Sequence, residues 1–85
     1  MQIIHIVLEV QEGVVQDPET LLSEESAGRH YESIVTSDEV KFRKKNDNET
    51  WDDYIEAFQE YEESDQLPYD KMDFEIHWWE SELLP

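Results

Sequence analysis

The sequence contains no cysteine, only two glycines and three prolines, and very little positive charge. Without cysteine the chain has no disulfide, no thiolate metal ligand and no cysteine nucleophile. Two glycines are too few for a glycine-rich phosphate-binding loop. The apolar runs are too short for a membrane span and the first residues lack a basic signal region, so we expect no membrane association and a cytoplasmic protein.

Positively charged residues are scarce. The chain has six Lys and Arg residues and 23 Asp and Glu residues, which gives a net charge of −17. Like charges at this density repel one another and destabilise a compact fold, most strongly at low salt. Direct binding to DNA or RNA is therefore not expected. The charge favours a strongly basic protein partner, and basic clefts are typical of nucleic-acid-binding proteins. The alternative is that the acidity serves only solubility.

The most informative stretch is residues 47–70, which carries ten carboxylates and no Lys or Arg. Thr50 followed by Asp53 fits an N-terminal capping box and predicts a helix start. Apolar residues then recur at helical spacing and form one stripe: Trp51, Tyr54, Ile55, Phe58 and Tyr61. The remaining surface carries the first candidate partner-binding residues: Asp52, Asp53, Glu56, Glu60 and Glu63. At ~1.5 Å rise per residue, the carboxylate spacing approaches that of phosphates along a DNA strand.

Hydrophobic patterning predicts the other elements of an α+β fold. Residues 3–10 read as a strand near the middle of a sheet, and Glu12 with Gly13 predicts a hairpin into a second strand at 14–16. Ser23 predicts the start of a helix from about 24 to 35. Alternating residues predict a short strand that begins at Val40 and ends at the Asn-Asp-Asn sequence at 46–48, and a last strand at 72–79.

These elements predict a small single domain covering residues 1–85. Its expected architecture is an antiparallel sheet of three to four strands with two helices packed on one face. The short strand contains four of the six basic residues, Lys41, Arg43, Lys44 and Lys45. We interpret them as neutralising neighbouring acids and charging an exposed sheet edge. A phosphate-binding patch is the alternative.

No residue pattern indicates catalysis, a metal or a cofactor. Glycosidase-type chemistry needs two carboxylates whose pKa values are separated by a pocket, and exposed helical carboxylates offer no such asymmetry. His5, His30 and His77 show no metal-ligand spacing, and the acidic run has no EF-hand glycine. Trp79 is a further candidate partner-binding residue, because an exposed Trp beside carboxylates is typical of protein interfaces. The alternative is that Trp79 packs under Leu83 and Leu84.

Glu32-Ser33-Ile34, followed by Asp38-Glu39-Val40, resembles the Glu-Ser-Ile element of the phage-type uracil-DNA glycosylase inhibitors. That family consists of small acidic proteins that imitate DNA. The resemblance implies that Glu32 and Ser33 contact the enzyme's DNA-binding loops, and that apolar residues near Ile34 receive the side chain inserted into the duplex. It covers residues 32–40 alone, and the basic run and the amino-terminal hairpin depart from the family pattern. The alternative is an ordinary amphipathic helix.

The sequence therefore predicts a DNA-mimicking inhibitor, without enzymatic activity, that occupies the basic cleft of a nucleic-acid enzyme. Uracil-DNA glycosylase is the favoured target. An anti-restriction or anti-CRISPR protein of a phage would need the same charge pattern and is the first alternative. A non-inhibitory acidic interaction module is the second. The oligomeric state stays open.

Overall fold

The computed structural model describes residues 2–11, 13–38, 40–63 and 75–83. The fold is α+β, with an antiparallel four-stranded sheet and two helices, as the sequence predicts. In chain order the elements are β1 (Gln2–Gln11), β2 (Val14–Val15), β3 (Glu19–Leu21), α1 (Glu24–Val35), α2 (Trp51–Glu63) and β4 (Glu75–Leu83). No helix in the described ranges is long and apolar enough to cross a membrane.

The chain forms two compact units. The sheet unit comprises Met1–Tyr31 and Lys71–Pro85, and the helical unit comprises Glu32–Asp70. The boundary falls within α1, so the sheet unit holds the first turns of this helix and the helical unit holds its end together with α2. Each unit has its own buried residues and is described by itself below.

In the sheet unit, β1 is the central strand, as its continuous apolar run predicts. It pairs antiparallel with β4 along one edge and with β2 and β3 along the other. The predicted hairpin is confirmed, because Gly13 has a positive φ of 77° and Val14 pairs with Gln11. The β1–β4 register runs without interruption from Gln2 opposite Leu83 to Val10 opposite Glu75.

One face of this sheet carries the core of the sheet unit. His5 and Val7 are buried there, and Val7 lies opposite Trp78 in the β4 register. The indole Nε1 of Trp78 donates a hydrogen bond of 3.2 Å to Nδ1 of His5, so these two nitrogen atoms are each other's partners. Tyr31 of α1 packs against Trp78, with ring centroids 6.0 Å apart. The opposite face presents Ile6 and Leu8, which are only half-buried.

Both predicted helices are confirmed, and both begin at the predicted caps. The hydroxyl of Ser23 accepts the N–H of Ser26 at 3.1 Å, and that of Thr50 accepts the N–H of Asp53 at 3.1 Å. Each bond satisfies one of the amide donors that a first helical turn leaves unpaired.

The predicted short strand between Val40 and the Asn-Asp-Asn sequence at 46–48 is wrong. Lys41 adopts a left-handed φ of 59°, which a strand does not tolerate. The segment instead folds back on the end of α1: the N–H of Lys41 donates to the carbonyl of Ser37 at 2.8 Å, and that of Phe42 to the carbonyl of Val35 at 2.8 Å. Val40 and Phe42 alternate with basic residues, as they would in a strand, because both side chains contribute to the core around this turn.

The third sheet strand is β3, which the sequence analysis missed. Its register places Thr20 opposite Ile6 and Leu21 opposite His5. The three residues follow Pro18 directly and are too few to show an alternating pattern, so tertiary pairing with β1 defines the strand. The last strand is confirmed over residues 75–79 and extends to Leu83, whereas its predicted first residues, 72–74, lie outside the described residues.

The core of the helical unit is an aromatic cluster built by α2 and Phe42. Trp51, Tyr54 and Phe58 are buried on one side of α2, as the predicted stripe requires. The ring of Phe42 lies 5.4 Å from Tyr54, 5.2 Å from Phe58 and 5.0 Å from Tyr61, measured between centroids. The hydroxyls of Tyr54 and Tyr61 donate to the carbonyls of Arg43 and Val40 at 2.6 and 2.9 Å. The helix is thereby fixed to the preceding segment.

Phe58→Ala tests this cluster, because Phe58 is fully buried and contacts Phe42 edge to face. Loss of the ring should lower the free energy of unfolding by about 3–5 kcal/mol, as for other large-to-small core changes. Urea unfolding followed by circular dichroism measures it. The neighbouring Gln59→Ala, at an exposed position of the same helix, is the control and should change it by less than about 0.5 kcal/mol. Equal effects would contradict the packing.

Candidate partner-binding surface

The acidic face of α2 consists of five exposed carboxylates: Asp52, Asp53, Glu56, Glu60 and Glu63. The sequence assigns them to the surface left by the aromatic stripe, and the structure places them there. Asp52 and Asp53 lie in the first turn, where the helix dipole and the unpaired amides favour negative charge. The acidic face therefore begins where a helix best tolerates carboxylates.

The geometry of this face follows from the helix. From Asp52 to Glu63 the axis advances by ~16 Å at ~1.5 Å per residue, so the five carboxylates follow one another at roughly one per 4 Å of axis. A DNA strand carries about one phosphate per 3.4 Å. No Lys or Arg interrupts α2. Because the other side of the helix is packed, the row of carboxylates is held on a rigid element.

In the basic segment, residues 41–45, the side chains of Arg43 and Lys45 make contacts within the helical unit. Nη1 and Nη2 of Arg43 donate to Oε1 and Oε2 of Glu49 at 2.9 and 2.7 Å, which makes a bidentate ion pair. The guanidinium also lies over the ring of Phe42, 5.2 Å from its centroid. Lys45 lies 4.9 Å from the ring centroid of Trp51. These contacts agree with the predicted neutralisation of neighbouring acids, although the segment forms no sheet edge.

The bidentate pair has an electrostatic consequence at Glu49. Hydrogen bonds from Arg43 lower the pKa of Glu49 to about 2, and the N–H of Asn46, which donates to the same carboxylate at 3.1 Å, acts in the same direction. The same pair raises the pKa of Arg43. Burial raises the pKa of Tyr54, whose hydroxyl is held as a donor by the carbonyl of Arg43. Glu49 is thus a structural carboxylate and not part of the acidic face.

Glu32, Ser33 and Ile34 lie on α1, near its carboxyl end, and not on a strand. The carboxylate of Glu32 is half-buried and accepts the backbone N–H of Lys45 at 2.8 Å. Ser33 is exposed and Ile34 is half-buried. The acidic residue of the Glu-Ser-Ile element is therefore engaged in holding the basic segment against α1. This use of Glu32 spans 13 residues and has no local sequence signal.

Trp79 lies on β4 in the sheet unit, opposite Ile6 of β1, and 44% of its surface is exposed. Trp79 and His77 lie on the same face of β4. Leu8 of β1, which pairs with His77, lies on that face as well. The predicted exposure of Trp79 is confirmed. Its proposed packing under Leu83 and Leu84 involves side chains outside the described residues. The acidic face belongs to the helical unit and Trp79 to the sheet unit.

The histidines of β1 and β4 do not converge. His5 is opposite Glu80 and His77 is opposite Leu8, so the two imidazoles lie on opposite faces of the sheet. Within the described ranges no group of three or more His, Asp or Glu side chains is arranged to hold a metal ion.

Comparison with known proteins finds no similar family model, no similar curated protein and no similar solved structure. The charge distribution and the geometry of the surface therefore supply the functional reasoning.

Sequence reasoning missed two structural carboxylates, Glu32 and Glu49. The second had a usable signal, since Arg43 and Glu49 carry opposite charges on either side of the Asn-Asp-Asn turn at 46–48.

Glu49→Gln should reveal the lowered pKa as a pH-dependent loss of stability. The carboxylate binds its proton more weakly in the folded state than in the unfolded state, so its contribution is complete above about pH 4.5 and is lost as the pH falls to about 2. At neutral pH the substitution should lower the free energy of unfolding by about 1 kcal/mol. The difference between wild type and variant should shrink toward about pH 2.

Urea unfolding of both proteins across this pH range measures the effect. Asp47→Asn removes an exposed carboxylate from the same loop and is the matched control. A wild-type advantage that is independent of pH, or an equal loss in the control, would contradict the assigned role of the Arg43–Glu49 pair.

Proposed function

We propose that this protein is a DNA-mimicking inhibitor that occupies the basic DNA-binding cleft of a nucleic-acid enzyme. The observation that carries the proposal is the acidic face of α2: five exposed carboxylates at a spacing close to that of DNA phosphates, on a helix whose other side is packed. The inhibitor performs no chemistry. It competes with DNA for the same Lys and Arg side chains.

Electrostatics supports both the rate and the selectivity of such binding. A net charge of −17 attracts a basic cleft over long distances, which favours rapid association that weakens as salt is added. Carboxylates accept charge-assisted hydrogen bonds from Lys and Arg as phosphates do. Because the acidic face lies on a packed helix, little backbone entropy is lost when it binds. These properties suit a competitor of DNA better than a protein that is acidic for solubility alone.

The first target to test is uracil-DNA glycosylase, because Glu32, Ser33 and Ile34 resemble an element of the inhibitors of that enzyme. The hydrogen bond between Glu32 and the N–H of Lys45 favours the acidic face over Glu32 as the principal contact. The acidic face does not depend on the Glu-Ser-Ile element, so it suits the basic cleft of a restriction or CRISPR nuclease equally well. These nucleases are therefore the alternative targets.

Cleavage of a uracil-containing oligonucleotide by uracil-DNA glycosylase tests the proposal. The protein should inhibit cleavage near equimolar amounts. Neutralising the acidic face by Asp52→Asn, Glu56→Gln and Glu60→Gln together should weaken inhibition by roughly tenfold to a hundredfold, since each exposed charge pair contributes about 0.5–1 kcal/mol. The control neutralises three exposed acids of the sheet unit, Asp17→Asn, Glu19→Gln and Glu24→Gln, which changes the net charge equally.

Equal weakening by the two triple variants would show that only net charge matters and would contradict mimicry by α2. Uninhibited cleavage with excess protein would exclude this target, and the same variants would then be assayed against restriction and CRISPR nucleases. Failure to inhibit any of them would favour a non-inhibitory interaction module.

Glu32→Gln separates the two possible contact regions on the glycosylase. The amide oxygen of Gln still accepts the N–H of Lys45, so the fold should be retained while the charge is removed. We expect inhibition within about twofold of wild type, because the acidic face supplies most of the attraction. A loss comparable to that of the α2 triple variant would instead assign Glu32 to the enzyme contact, as the resemblance implies.

A further inference from the structure

The two edges of the sheet differ in how they are protected. On one side of β1, the neighbours are β2 and β3, which have two and three residues and are separated by a segment containing Pro18. Short strands and proline are typical protection against pairing with another chain. On the other side, β4 runs for nine residues with an uninterrupted register. Among the described strands it pairs with β1 alone.

Among the described residues, the outer edge of β4 has neither a proline nor a bulge. Glu75–Leu83 contains no proline and no lysine, the register with β1 is uninterrupted, and the charged side chains of the strand are all acidic apart from His77. Alternate residues of an antiparallel strand direct their N–H and C=O groups away from the paired neighbour. Alternate residues of Glu75–Leu83 therefore offer backbone donors and acceptors to an additional strand.

The side chains of β4 specify the chemistry of that strand. Glu80 and Glu82 are exposed, lie on the same face two residues apart, and form no ion pair within the described ranges. On the opposite face, Trp79 is 44% exposed. An added strand that alternates basic and apolar residues would place cations beside the carboxylates and apolar side chains beside the indole.

A second copy of this chain is a poor occupant of the edge. Each copy carries a net charge of −17, and pairing β4 with β4 would bring Glu80 and Glu82 of both copies to one sheet. Like charges on neighbouring strands are destabilising. Charge complementarity favours a cationic strand.

We propose that the outer edge of β4 binds an extended segment of a partner protein by strand addition, and that this segment carries Lys or Arg at alternate positions. Main-chain hydrogen bonds supply affinity, and Glu80, Glu82 and Trp79 supply selectivity. This surface is in the sheet unit, and its use does not depend on the inhibitory role proposed for α2.

Titration with synthetic peptides tests the proposal. The probe is a short capped peptide in which Lys alternates with Val. One control peptide has the same composition with Lys and Val segregated, and another has alternate backbone nitrogens methylated. Isothermal titration calorimetry measures affinity, and backbone amide chemical shifts locate the site. We expect the alternating peptide to bind at β4 about tenfold more tightly than either control.

Two double variants show whether binding depends on the carboxylates of β4. Glu80→Gln with Glu82→Gln should weaken binding of the alternating peptide about tenfold, whereas Asp17→Asn with Glu24→Gln, which removes the same charge from exposed positions elsewhere in the sheet unit, should change it less than about twofold. Equal binding of all three peptides, shifts confined to α2, or no binding would overturn the proposal. Self-association of the protein that the β4 variant alters would assign the edge to a second copy and overturn it as well.

Discussion

The packing of Phe42 against the aromatic side of α2 is the interaction on which the helical unit depends. Phe42 contacts three rings of the helix, and two tyrosine hydroxyls bind the carbonyls on either side of this contact region. An isolated helix of 13 residues is marginal in water, and the repulsion among its carboxylates makes it less stable still. Burial of one side therefore allows the exposed side to carry five carboxylates and no Lys or Arg.

Two of the scarce cations, Arg43 and Lys45, are placed where they stabilise this arrangement. Four of the six Lys and Arg residues follow α1 within residues 41–45. Arg43 binds Glu49 just before α2, and Lys45 lies over Trp51 in its first turn. These two cations are thus engaged beside the start of the helix, while the five carboxylates of the acidic face form no ion pair within the described ranges. This division supports the interpretation that the acidity has a binding role beyond solubility.

Periodicity and capping made much of the fold predictable, because β1, α1 and α2 have regular apolar patterns and Ser23 and Thr50 are good caps. The segment at 40–43 was not predictable, since Val40 and Phe42 alternate as in a strand while Lys41 takes a left-handed conformation that usually signals glycine. The acidic face could be predicted because helical spacing alone separates carboxylates from rings. The engagement of Glu32 by Lys45 depends on a tertiary turn that no local pattern encodes.

Competition between this protein and DNA is the most direct test of mimicry. Uracil-DNA glycosylase would be saturated with a fluorescently labelled duplex, and the anisotropy of the label followed as the protein is added at several salt concentrations. Mimicry predicts that the duplex is released completely near equimolar protein at each salt concentration at which the enzyme alone retains it. A rise in anisotropy, which would indicate a ternary complex, or retention of the duplex at every salt concentration would contradict it.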